Sequence, residues 1–213
     1  YSHYPTFFGE LWRGLRPLCA SRPFVEAFQA LRNDVEARVA DLKPPSLVGR
    51  LADRGYAPRE VENIREMNTV FSHGNQLYVL IASIARHLLE IGDIGGGGDA
   101  EPFKGTHAPG TTVPFMLMEY HHADEPTRAV YEDIKATLHL PFVNTDYRAF
   151  ARWPSYFSMA WADLRGKVNT SVYEAICQSC HNQVAELAAE GLPNPGGLSA
   201  QALRRAAEAG CNL

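Results

Sequence analysis

Two stretches of this 213-residue chain read as one pattern written twice. Tyr4-Pro5-Thr6-Phe7-Phe8-Gly9-Glu10-Leu11-Trp12-Arg13-Gly14-Leu15-Arg16 is matched, 149 residues on, by Trp153-Pro154-Ser155-Tyr156-Phe157-Ser158-Met159-Ala160-Trp161-Ala162-Asp163-Leu164-Arg165. Pro, Phe, Trp, Leu and Arg fall at the same places, and an aromatic residue precedes each Pro. After a slip of one residue, Val25-Glu26-Ala27-Phe28 pairs with Tyr173-Glu174-Ala175-Ile176. A register shared over this length points to duplication. Two related units are therefore expected, and the cleft where their apolar faces meet is a common place for a small-ligand site. On this reading residues 1–92 form a first repeat, 93–115 a Gly/Pro-rich linker and 116–213 a second repeat. Neither repeat has a counterpart for the whole of the other, and the chain starts at Tyr1 rather than Met. Both outer ends are accordingly expected to be trimmed.

The apolar periodicity is helical. Phe8, Leu11, Trp12 and Leu15 follow i, i+3, i+4, i+7, between Pro5 and Pro17, which are read as the breakers at the two ends. Phe24, Phe28, Leu31, Val35 and Val39 continue the pattern from Arg22 to Leu42, and Pro44-Pro45 stops it. Pro58 sits where a first turn tolerates it, opening a helix through Val61, Ile64, Met67 and Val70. A second apolar stretch runs from Gln76 to Ile91. Further helical spacing covers 125–138, with Pro126 in its first turn, and then 146–151, 155–164 and 171–189. Two-residue alternation is almost absent, so the fold class is all-α. Gly92 to Gly110 is the one long loop, with four consecutive glycines, Gly95 to Gly98. A phosphate cradle needs a strand before it and a helix after it, which this stretch lacks, so it reads as a connection.

Composition removes several function classes. The charge is −4 and no basic tract occurs, which argues against a nucleic-acid face. The longest apolar run, Leu77 to Ala85, is interrupted by Ser83 and far short of the roughly 20 residues of a membrane span. No signal peptide is visible, and four cysteines, Cys19, Cys177, Cys180 and Cys211, are too few for a disulfide scaffold. A reducing, cytoplasmic compartment fits. The expected partner is a small molecule, not a membrane or nucleic acid, and a homodimer is allowed.

Chemistry concentrates at Leu138 to Pro154. The apolar Leu140 to Val143 ends in Asn144, Thr145 and Asp146, where a helix opens. The plain reading is capping, since these are preferred N-cap residues. The functional reading is a general base among Phe142, Tyr147, Phe150 and Trp153. A carboxylate in such surroundings can have its pKa raised and deprotonate a water.

The block V-N-T-D-Y-R-A, followed by R-W-P and then W-x-x-L-R, with its earlier twin, resembles the group I 2-haloacid dehalogenases, from Tyr4 to about Leu192. That all-helical family includes enzymes accepting both D- and L-substrates. The resemblance implies two homologous helical repeats in a pseudo-dimer with the active site between them. It implies hydrolysis of 2-haloacids to 2-hydroxy acids with inversion, by an aspartate-activated water, without ester intermediate, metal or organic cofactor. It places the base at Asp146. By the same resemblance Asn75 orients the water or binds the substrate carboxylate, and Tyr78, three residues on, lines the pocket. Thr6 and Glu10 match a further threonine–glutamate pair, and their i, i+4 spacing puts them on one helix face. Thr145 offers a hydroxyl or backbone N–H to the carboxylate. Plain alternatives stay open: Asn75 as a turn or cap residue, Glu10 as a solvated charge, Tyr78 as core.

Other motifs compete. Cys177-Gln178-Ser179-Cys180-His181 has the spacing of a haem attachment, but inside a helix and without an export signal. It also admits a thiol reductase similar to helical alkylhydroperoxidases, where the histidine lies further on. A non-catalytic helical binding protein is the third class. His121-His122 with Glu119 reads as an exposed loop, since adjacent side chains diverge.

Overall fold

Proline decides how several helices begin. The computed structural model describes residues 4–95 and 100–210. Helix α1 (Pro5–Cys19) and helix α7 (Pro154–Arg165) both start on a proline, whose missing N–H costs nothing in a first turn. They are the two twin segments. Helix α2 is Arg22–Val39, extended by a 3₁₀ turn, Ala40–Leu42, and stopped by Lys43 in the left-handed region ahead of the two prolines. Helix α3 is Val48–Asp53, and α4 is Pro58–Glu90. Helix α5 (Glu125–Leu138) is capped by Asp124, whose carboxylate accepts from the Thr127 N–H at 2.9 Å. Helix α6 is Thr145–Phe150 and α8 is Ser171–Glu186, running into a π-helical turn, Leu187–Gly191. Helix α9 is Ala200–Gly210. Among the described residues there is no strand beyond one isolated bridge, Ser21 to Pro102, so the chain is all-α.

Four of these elements differ from the sequence pattern. Helix α1 passes through Pro17 instead of closing on it. In the last turn a proline removes a single backbone bond, and Leu15 and Leu18, 2% and 0% exposed, reward continuing. The stretches at 58–70 and 76–91 are one helix of 33 residues that includes Gly74. An interior glycine costs about 1 kcal/mol, less than the burial of Ile64, Met67, Leu80, Ile84 and Leu88 returns. Helices α3 and α9 were not anticipated. The glycine run's Gly96 to Gly98, and Cys211, lie outside the described residues. None of the described helices is long and apolar enough to cross a membrane.

The chain divides into two compact units. The first comprises Tyr1–Glu36, His73–Ala108 and Cys177–Leu213, the second Ala37–Ser72 and Pro109–Ile176. In the first unit Leu15 and Leu18 of α1, Phe24 and Phe28 of α2, and Leu80 and Ile84 of α4 share one core. Helix α9 crosses α1 so closely that the Gly196 backbone rests on the Gly14 carbonyl. Asp93 caps α9 by accepting from the Ala200 N–H at 2.6 Å. The chain at 101–103 is clipped to the α1–α2 turn: Arg22 N–H donates to Glu101 O at 2.7 Å and Phe103 N–H to Ala20 O at 2.8 Å. His107 follows, its Nδ1 3.2 Å from Nε2 of the buried His73, and both rings meet Phe28 edge-on.

The second unit has two apolar clusters. One gathers Leu51, Ile64, Met67, Ala149 and Trp153, the other Tyr131, Ile134, Phe157 and Trp161. The Trp161 indole N–H donates to Asp133 at 2.7 Å, and Arg165 donates to the same oxygen at 2.7 Å. Glu66 accepts from the Thr112 N–H at 3.0 Å and ties the chain after the long loop to α4. These hydrogen bonds hold its carboxyl below the usual range.

Candidate active site

In the second unit Asp146 stands in the first turn of the six-residue α6. Asn144 is the N-cap, extended at φ −63° and ψ 161°, but its side chain makes no capping bond. The positive end of the helix suits the Asp146 carboxylate. Its Oδ1 accepts from the Tyr147 N–H at 3.0 Å. Phe150, one turn on, shares its helix face. The Phe150 ring lies 5.4 Å from Phe71 and 5.6 Å from Tyr156, and Phe71 lies 5.7 Å from Phe115. The Tyr147 phenol is pushed up to about 12 by burial, then by the Asp146 and Tyr173 side chains. Burial also raises the Tyr156 phenol, against a hydrogen bond of 3.0 Å from the Asn68 side chain. Of the four aromatic residues expected near Asp146, Tyr147 adjoins it in α6 and Phe150 lies one turn on. Phe142 instead points outward at 65% exposure, and Trp153 is core, with the Arg152 guanidinium 4.6 Å over its ring. Thr145 is exposed, its hydroxyl 3.5 Å from an Arg148 nitrogen.

The first unit holds the other four candidates. Thr6 and Glu10 lie one turn apart on α1, Thr6 exposed and Glu10 paired with Arg13. Glu10 also borders a small cavity of about 50 Å³ against the start of α9. Asn75 and Tyr78 lie three apart on α4, so they share a helix face. Asn75 is thus an exposed mid-helix residue, not a turn or cap. Tyr78 is 65% exposed, not core.

The competing motifs look different in three dimensions. Cys177 is exposed and Cys180 partly buried in α8. Burial raises the Cys180 thiol, and Cys177 and Asp34 raise it further, the reverse of what a reactive thiolate needs. His121 and His122 are exposed in a turn. Among the described residues no cluster of three His, Cys, Asp or Glu side chains is arranged to hold a metal ion. One element beside Asp146 escaped the sequence reading. The Arg148 guanidinium reaches both oxygens of Glu119, at 2.8 and 2.9 Å. In the sequence Glu119 reads only with the adjacent histidines. Its link across 29 positions carries no local spacing signal.

Comparison with known proteins found no matching family model. An (R)-2-haloacid dehalogenase of Rhizobium sp. (strain NHG3) is 45% identical over 209 residues, covering 96% of this chain and 79% of that protein. An (R)-2-haloacid dehalogenase of Pseudomonas putida is 37% identical over 186 residues, 82% of this chain and 59% of that one. A configuration-inverting 2-haloacid dehalogenase of Pseudomonas sp. (strain 113) is 21% identical over 207 residues, 93% of this chain and 66% of that one. Among solved structures, a D-2-haloacid dehalogenase mutant in complex with D-2-CPA superposes with a TM-score of 0.83 at 31% identity. That match covers 96% of this chain and 76% of the other. With an all-α fold shared at that level, and 45% identity over most of a 2-haloacid dehalogenase, the chain belongs to the group I 2-haloacid dehalogenase family.

Proposed function

We propose that this chain hydrolyses short 2-haloalkanoic acids to 2-hydroxy acids, with inversion, by direct attack of a water that Asp146 deprotonates. Asp146 is the observation that carries the reading. It is a carboxylate at a helix start, next to Tyr147 in sequence and one turn before Phe150, within the block on which the family resemblance rests. Its Oδ1 is held by the Tyr147 amide, which leaves Oδ2 to take the proton. As the proton goes to Asp146, the water oxygen bonds to Cα, the carbon–halogen bond breaks and halide departs. The attack brings negative charge toward a carboxylate, so donors must neutralise the substrate and the leaving halide. Asn75 and Thr145 are assigned to that work, Asn75 alternatively to orienting the water; Thr6 and Glu10 act together as a further catalytic pair, and Tyr78 is a pocket wall. The reaction as written consumes only water and needs no cofactor. Duplication is the favoured origin of the architecture, supported by the twin segments both being proline-initiated helices.

The names of the 45% and 37% identical relatives favour (R)-acids as substrates, whereas the resemblance alone allows both enantiomers. Halide release from (R)- and (S)-2-chloropropionate decides between them. Activity should survive Cys180→Ala and vanish in Asp146→Asn; turnover in Asp146→Asn removes the base. In oxygen-18 water a single turnover should place label in the hydroxy acid. Label appearing only on later turnovers means an ester on Asp146 and ends the direct-attack scheme.

A further inference from the structure

We infer that the Glu119–Arg148 ion pair is a positioning clamp that sets where the Asp146 carboxylate stands, an inference that rests on the base assignment proposed above. Helix α6 cannot hold itself. It has six residues, far below the length at which a helix is stable alone, and no side-chain cap. Its register must come from what grips it: Ala149 and Phe150 seat it in the apolar core, and the polar grip is at Arg148, two residues beyond Asp146.

Two links reach Arg148 from one short segment. The Met118 N–H donates to the Arg148 carbonyl at 3.0 Å. The neighbouring Glu119 takes the Arg148 guanidinium on both oxygens, at 2.8 and 2.9 Å. The segment is itself anchored: the Met118 carbonyl accepts the Tyr131 O–H at 2.7 Å, and Tyr131 is fully buried in α5. Burial pushes that phenol up to about 12, so it remains a donor across the working range. A second Arg148 nitrogen stands 3.5 Å from the Thr145 hydroxyl, so the same guanidinium also borders the residue before Asp146. The chain of contacts runs from α5, through 118–119, to the middle of α6.

The pair is not primarily a source of stability. Its side chains are 26% and 41% exposed, and such pairs contribute little to folding. Its consequence is geometric. A shift of about 1 Å in a reacting group can cost about a hundredfold in rate.

Steady-state halide release from (R)-2-chloropropionate tests this with Glu119→Gln, Arg148→Lys and Asp146→Asn, alongside thermal melts. Glu119→Gln keeps the shape and removes the charge. We expect kcat to fall roughly ten- to a hundredfold, with KM and melting temperature nearly unchanged and the acid limb of the pH–rate profile in place. Arg148→Lys keeps the charge but is shorter and has no second nitrogen to face Thr145, and should fall similarly; it carries the test should Glu119→Gln not fold. Wild-type kcat in either folded variant, with Asp146→Asn inactive, overturns the clamp and leaves the base standing. An active Asp146→Asn overturns both.

Discussion

A single methyl group on Gly196 should unseat α9 from α1. A Cβ there falls far inside contact distance of the Gly14 carbonyl oxygen, which is main chain and has no rotamer to change. Ordinary contact is regained only if the 196–198 backbone retreats by about an ångström. Leu198 and Leu203, 7% and 1% exposed, go with it and leave the core partly open. Overpacking costs about 1–3 kcal/mol, and backbone against backbone belongs at the upper end. For a chain of this size about 3 kcal/mol lowers Tm by about 6–12 °C. Gly14→Ala is the internal control. The nearest atoms to its Cβ all belong to the Leu198 side chain, Cγ and Cδ2 far inside contact, but a side chain has rotamers that a main chain lacks, so a cost toward the lower end of about 1–3 kcal/mol is expected. Thermal and urea denaturation of both variants, followed by circular dichroism, give the comparison. If Gly196→Ala melts with the wild type, or above Gly14→Ala, the packing argument is wrong.

His73 should make the chain acid-sensitive. Burial, then His107 and Arg32, hold its ring below the ordinary value of 6.5, so the folded state favours the neutral form. Stability from this group is present above that value and lost as pH falls below it. Urea midpoints on either side of it should show the loss, and His73→Phe should flatten the dependence. Asp133→Ala leaves the indole N–H of a 5%-exposed Trp161 without its acceptor, a cost of about 1–3 kcal/mol; Asp133→Asn should keep most of the stability in the same melts. Iodoacetamide with peptide mass mapping should label exposed Cys177 first and Cys19 late, since burial pushes the Cys19 thiol up to about 11. Early labelling of Cys19 would contradict the burial seen here.

Local chemistry was the legible part of the fold. The Pro5 opening of α1, the Pro58 start of α4, the Asp124–Pro126 opening of α5 and the double-proline stop after α2 all follow from single-residue geometry, and the structure has each of them. What the sequence hid depends on packing. Gly74 looks like a break until the buried residues on either side of it are counted, and Pro17 looks like a stop until Leu18 is seen to be buried. Helix α9 has strong amphipathic spacing, but its entry cap, Asp93, lies 107 positions away. The sequence boundaries run in chain order, whereas the compact units interleave segments, because α2, α4 and α8 each run through both. Asp146 is proposed from a contiguous block of residue types. The Glu119–Arg148 grip beside it joins two such blocks and becomes visible only once they are folded together.

The clip between the α1–α2 turn and residues 101–103 also has a kinetic side. It joins positions about eighty residues apart through two main-chain hydrogen bonds and an exposed Arg22–Glu101 pair. Closing so long a span carries an entropy cost that only finished helices can offset. The clip should therefore form after α2 and α4 and be among the first contacts to open. Limited proteolysis should then cut first in the segment just after it, around Lys104 and Gly105, while the helices are still intact.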